Sequence, residues 1–152
     1  MQARLKNPAT LVPEAMQPIL TLVKSLQNGK IPPRTLGLLH ARISQINGCG
    51  VCLDLHVRQE KKAGELDERL LVLAGWRDVP SFTEAERAAL ALAEAETRLA
   101  DRADAVPDDV WNEAARHFDE QALAQLVLYI GLINMFNRVN VTTRQVAGAQ
   151  SW

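Results

Sequence analysis

An all-α helical bundle, a single domain of about six to seven helices that assembles into oligomers, is the fold class this sequence predicts. Three observations carry that expectation. Apolar residues recur at helical spacing, as in Leu36, Leu39, Ile43 and Ile46. Helix punctuation is explicit, with Asn28-Gly29 as a stop and Thr83-Glu84-Ala85-Glu86 as a capping box. The one alternating run, Val51 to Val57, has no hairpin partner and leads into the good helix formers of Arg58 to Ala63.

Bulk properties narrow the function classes. A chain of 152 residues fits one domain over 1–152, with residues 1–12 as an N-terminal arm. Hydrophobic residues make up 47% and charged residues 23%, the balance of an ordinary globular protein. The formal charge is −1 with both signs interspersed, so the electrostatic footprint of a nucleic-acid binder is missing. The longest apolar stretch, Leu126 to Ile133, is too short to span a bilayer, and no charged-then-apolar leader opens the chain. The expectation is a cytoplasmic protein with no membrane partner. In a reducing compartment, two cysteines three residues apart point to catalysis or metal binding rather than to a structural staple.

The elements follow in order. Pro13 suits a first helical turn, and its helix runs to Gln27. Ile31-Pro32-Pro33 leads into the amphipathic helix of Leu36 to Ile46, which Asn47-Gly48 ends. The cysteine segment turns helical after Gly48 and continues to Gly64. A short helix over Asp67 to Ala74 and a loop through Pro80 precede the capping box, whose helix extends to about Ala103. Pro107-Asp108-Asp109 begins a short helix ending near Phe118. The last helix, from about Glu120 to beyond Val139, is apolar nearly all round between Leu123 and Phe136 and reads as the buried central helix.

The chemistry gathers in Ser44-Gln45-Ile46-Asn47-Gly48-Cys49-Gly50-Val51-Cys52-Leu53-Asp54-Leu55-His56. On a helix, Cys49, Cys52 and His56 stand at i, i+3 and i+7, on one face. A thiol pair with a base one turn away suits thiol–disulfide or peroxide chemistry. Helix-start amides favour an anion near Cys49, while His56, which can accept the proton or pair with the anion, is nearer in sequence to Cys52, one turn below it. The residues alone divide the activation between Cys49 and Cys52. Gly48 and Gly50 let a substrate or partner approach the sulfurs. Asn134 and Asn137 on the last helix need hydrogen-bond partners if buried, as loop tethers, subunit contacts or active-site lining. Trp76, Trp111 and Phe136 read as packing residues, His117 as a helix-end residue, and Arg58-Gln59-Glu60-Lys61-Lys62 as a solvated helix face.

This stretch resembles the signature of the alkylhydroperoxidase D (AhpD)-like group within the carboxymuconolactone decarboxylase family. The resemblance continues in Arg69 to Arg77, Phe82 to Leu90 and Ile133 to Arg138. It implies an all-helical fold assembling as trimers or hexamers. For peroxidase members it implies that Cys52 attacks a hydroperoxide, that Cys49 resolves the sulfenic acid as a disulfide, and that His56 relays the proton together with a glutamate. That glutamate belongs twelve residues before the first cysteine, where this chain has Gly37. His40, one turn on, is the candidate to fill the second relay position.

Residues three apart on a helix have Cα atoms about 5–6 Å apart, within disulfide range. No flavin or nicotinamide fingerprint is present, so no cofactor is expected and reduction falls to an external dithiol, thioredoxin-like or lipoyl-type. Two alternatives stay open: a disulfide-exchange or redox-sensing protein without efficient peroxide turnover, and a non-catalytic zinc protein using Cys49, Cys52, His56 and His40. A lactone decarboxylase is weaker still, because members with that activity do not depend on a cysteine pair.

Overall fold

The computed structural model describes residues 1–63 and 68–149. These contain seven α-helices and no strand: α1 (Pro8–Leu11), α2 (Pro13–Gln27), α3 (Pro33–Ile46), α4 (Gly50–Ala63), α5 (Glu84–Thr97), α6 (Asp108–His117) and α7 (Glu120–Thr142). The alternating run Val51 to Val57 lies within α4, so helix propensity and the absence of a pairing strand decide its conformation. Gly64 and the start of the expected Asp67 helix lie outside the described residues.

Three boundaries differ from the sequence expectation. Residues Glu68–Leu71 and Leu73–Asp78 form two 3-10 turns where a short helix and a loop were expected. Helix α5 stops at Thr97 rather than near Ala103, the chain leaving helical geometry at Arg98 (φ −104°, ψ 32°). One tertiary contact accompanies that stop, the Thr97 hydroxyl accepting from Asn134 of α7 at 3.1 Å, and one local pair, Arg98 reaching back one turn to Glu94 at 3.5 Å. Helix α4 begins at Gly50, one residue past the start expected directly after Gly48.

The core lies between α3, α5 and α7. Leu36, Leu38, Leu39 and Ile43 of α3, Ala89, Leu90, Leu92 and Ala93 of α5, and Leu126, Ile130 and Ile133 of α7 are all buried. Helix α7 packs against α2, α3, α4, α5 and α6, yet it is not enclosed. Val127, Leu128 and Met135 remain 36%, 56% and 38% exposed, an apolar stripe at helical spacing that corrects the picture of a wholly buried helix. Trp111 is likewise exposed rather than packed. By length and composition α7 is the one described helix that can cross a bilayer, beyond what the short run Leu126 to Ile133 indicated. Of its most apolar 18-residue stretch, 56% is buried inside the protein. Some of its polar side chains reach outside the helix: Gln125 donates to the Leu26 carbonyl and accepts from the Ile31 amide, and so fixes the α2–α3 connector.

Two polar networks tie the helices together. In the first, the Asn47 amide donates to the Oδ1 atoms of both Asn134 and Asn137 at 2.9 Å, and Asn137 donates to Ser44 Oγ at 3.1 Å. The asparagines of α7 are thus loop tethers that hold the end of α3. In the second, the buried Glu94 carboxylate accepts from Arg42, Arg77 and the Trp76 indole. Burial alone would raise its pKa, but the bonds from Trp76, Arg77 and Arg42, with the charge of Arg42, outweigh this and lower it to about 2.

Removing Asn137 leaves the Ser44 hydroxyl and one bond of Asn47 unmade in the interior, so Asn137→Ala is expected to cost about 1–3 kcal/mol in urea unfolding. The Glu94 carboxylate has a folded-state pKa below its ordinary 4.5, so its contribution is complete above that pH and disappears as pH falls through about 2. Glu94→Gln is therefore expected to lower stability at neutral pH and flatten the acid limb of a stability–pH curve. An unchanged acid limb would contradict the assignment.

Candidate active site

The end of α3 delivers the first cysteine. Gly48 takes a left-handed conformation (φ +66°). This lets its amide bond the Gln45 carbonyl at 3.3 Å and the Cys49 amide bond the Ser44 carbonyl at 2.9 Å. That pair of bonds is the Schellman termination, and its φ suits glycine. Cys49 then serves as the N-cap of α4: its carbonyl accepts from Leu53, and its Sγ lies 3.3 Å from the Cys52 amide. One residue thus ends one helix and starts the next.

Cys49 and Cys52 are joined as a disulfide with Cα atoms 5.4 Å apart. Both are buried, 1% and 4% exposed, but they face different surroundings. Cys52 lines a cavity of about 420 Å³ and Cys49 does not. The cavity is walled by the N-terminal segment and α2 on one side and by α4 and α7 on the other, with Met16, Leu20, Leu132, Phe136 and Val139 among its apolar lining. The N-terminal arm closes over it, anchored by the Arg4 amide on the Thr143 carbonyl and by Gln145 on the Leu5 carbonyl. Next to the sulfur, Asn140 Nδ2 donates to Cys52 Sγ at 3.4 Å. Asn140 was not singled out from the sequence, and nothing local marks it.

The two histidines come together as expected. The rings of His40 and His56 stack with centroids 4.9 Å apart and planes 19° from parallel. His40 is also part of the cavity wall. Burial, then the adjacent His56, lowers the His40 pKa from 6.5 to about 3, and burial lowers that of His56 as well. The pair is therefore neutral at physiological pH, and His40 is a poor base. His117 sits at the end of α6 beside Glu113, 3.2 Å away, far from this chemistry in sequence.

Glu60 departs from the solvated face read for its charge run. It is half-buried, and its Oε1 lies 3.9 Å from the point where a Cβ on Gly37 would sit. His56 Cε1 and Nε2 approach that same point to 3.2 and 3.4 Å. Tyr129 of α7, also in the cavity wall, has its phenol pKa raised by burial and then by the charge of Glu60. The four residues of the zinc alternative do not form a metal-binding group among the described residues, where the two sulfurs are bonded to each other.

Comparison with known proteins agrees with this architecture. The model of the carboxymuconolactone decarboxylase family matches residues 12–95. The uncharacterized protein YdfG of Bacillus subtilis is 33% identical over 131 residues, covering 86% of this chain and 88% of that protein. The uncharacterized protein YnjA of Escherichia coli is 36% identical over 110 residues; the match takes in 72% of this chain but only 59% of YnjA. Among solved structures, ATU0492 of Agrobacterium tumefaciens, a protein of unknown function proposed to be the antioxidant defence protein AhpD, superposes with a TM-score of 0.86 at 32% identity, over 98% of this chain and 100% of its own. The debrominase Bmp8 shares the fold at 21% identity and a TM-score of 0.80, over 92% of this chain and 74% of its own. With its helical fold, its paired cysteines and these matches, the chain belongs to the carboxymuconolactone decarboxylase family, in its AhpD-like group.

Proposed function

We propose that the protein is a thiol-dependent hydroperoxide reductase acting on peroxides with a bulky apolar group. The observation that carries this reading is the asymmetry of the cysteines: Cys52, not Cys49, opens onto the apolar cavity. In the reduced protein the Cys52 thiolate attacks the terminal peroxide oxygen. The O–O bond breaks, sulfur becomes a sulfenic acid, and the alkoxide leaves as an alcohol after taking a proton. The neutral His56, one turn along α4, accepts the thiol proton and returns it to the alkoxide. Asn140 stabilises the anion at Cys52 through the bond it already makes to that sulfur. The Cys49 thiolate, favoured by the first-turn amides of α4, then displaces the sulfenic oxygen as water and forms the disulfide seen here.

Turnover needs an external dithiol, thioredoxin-like or lipoyl-type. Gly48 and Gly50 flank Cys49 at the exposed surface, with open space above both, and offer that dithiol its approach. Peroxide and reductant thus reach the pair from different sides. Such a cycle suits a reducing compartment such as the cytoplasm. The apolar stripe of α7 is the surface on which copies of the chain would assemble into a trimer or hexamer. A second reading, disulfide exchange or redox sensing without efficient peroxide turnover, is favoured by Gly37, which leaves α3 without a relay carboxylate.

Cumene hydroperoxide consumption with a dithiol reductant is expected to fall to background in Cys52→Ser. Cys49→Ser is expected to complete one turnover and accumulate a sulfenic acid trappable by dimedone. Unchanged consumption in Cys52→Ser would exclude the mechanism, and brisk dithiol exchange with background peroxide turnover in the parent protein would favour the second reading. Replacing Asn140 by Ala is expected to move the pH dependence of Cys52 alkylation upward by about one pH unit, as loss of a hydrogen bond to an anion should.

A further inference from the structure

We infer that Glu60 is the carboxylate that positions His56 and stabilises its protonated form, supplied from α4 where α3 offers only Gly37. This deepens the peroxidase reading and rests on it. Three observations converge. Glu60 follows His56 by four residues on α4, the spacing that places two side chains over one another on a helix face. Its carboxylate turns inward: Oε1 lies 3.9 Å from the would-be Cβ of Gly37, and its charge is felt by the buried Tyr129 phenol. His56 Nε2 comes within 3.4 Å of the same point, so base and carboxylate border one small space that a single water or a modest rotation of the glutamate bridges.

Gly37 makes this arrangement sterically available. A side chain there would begin 3.2 Å from the His56 ring, tighter than ordinary packing, and would fill the space the two groups share. The absent side chain on α3 and the inward carboxylate on α4 are then two halves of one device. His40 cannot take the carboxylate's part, because it is held neutral and carries no negative charge with which to steady an imidazolium. Glu60 does not enter the proton balance. The proton taken from Cys52 by His56 goes to the departing alkoxide, and the one taken from Cys49 leaves with water; the glutamate lowers the cost of the imidazolium between those transfers.

Among the described residues, ionisable groups near the pair include His40 from α3, Cys52 from α4 itself and Tyr129 from α7. A carboxylate beside His56 favours its protonated form, so removing the charge lowers the pKa of the imidazole and weakens it as a base. The test is an NMR titration of the His56 ring in the full-length parent, Glu60→Gln and Glu60→Asp, paired with the pH profile of cumene hydroperoxide consumption in the same proteins. In Glu60→Gln the His56 midpoint is expected to fall by about half a pH unit or more. The peroxide kcat/KM is expected to drop at least about tenfold, with its acid limb displaced to lower pH. Glu60→Asp is expected to restore part of both. A His56 midpoint identical in parent and Glu60→Gln overturns the inference. Because the titration needs no turnover, it reports on the Glu60–His56 interaction even where Cys52-dependent peroxide consumption is absent, an outcome that would instead overturn the peroxidase reading.

Discussion

The site depends on how the last turn of α3 is fastened to α7. Asn47 gives its amide to Asn134 and Asn137, and Asn137 gives its own to Ser44, in a region from which water is nearly excluded. Buried amides left unpaired are costly, so this network tolerates one relative placement of the two helices. Within it the Schellman turn at Gly48 sets the direction of the chain, and Cys49 becomes the cap from which α4 departs. The positions of Cys52, His56 and Glu60 then follow from the pitch of a single helix. Small errors at Asn47 would be carried along α4 to every reactive group.

The same geometry separates the two sulfurs by environment although they are bonded to each other. Cys49 lies at a helix start beneath an exposed glycine-flanked turn, where backbone amides favour negative charge. Cys52 lies one turn further along α4, against an apolar cavity, where the Asn140 amide donates to its sulfur. Low polarity there strengthens each remaining electrostatic contact and keeps water from competing for the sulfur. The stacked imidazoles are kept neutral by burial, which leaves His56 free to accept a proton. His40, its basicity lowered by burial and by the neighbouring ring, packs against His56 and walls the cavity.

Much of the fold was legible because its signals are local. The Thr83 capping box, the Asn47-Gly48 stop and the apolar period of α3 each act over one or two turns, and each appears where the sequence places it. Differences arise where long-range contacts override local preference. Helix α5 ends early, where the Thr97 hydroxyl is engaged by Asn134 of α7. Helix α7 keeps an exposed apolar stripe that hydrophobicity alone does not distinguish from core.

The site divides the same way. By itself, the order of residues determined that Cys49, Cys52 and His56 share one helical face, since that follows from 3.6 residues per turn. It also determined that Gly48 ends α3, since glycine suits the left-handed turn. Only the tertiary structure decided which cysteine meets the cavity, that Asn140 reaches Cys52 from α7, and that Glu60 turns inward over Gly37. Those contacts join residues far apart in the chain or on different helices, and they depend on helix placement, which no local pattern encodes.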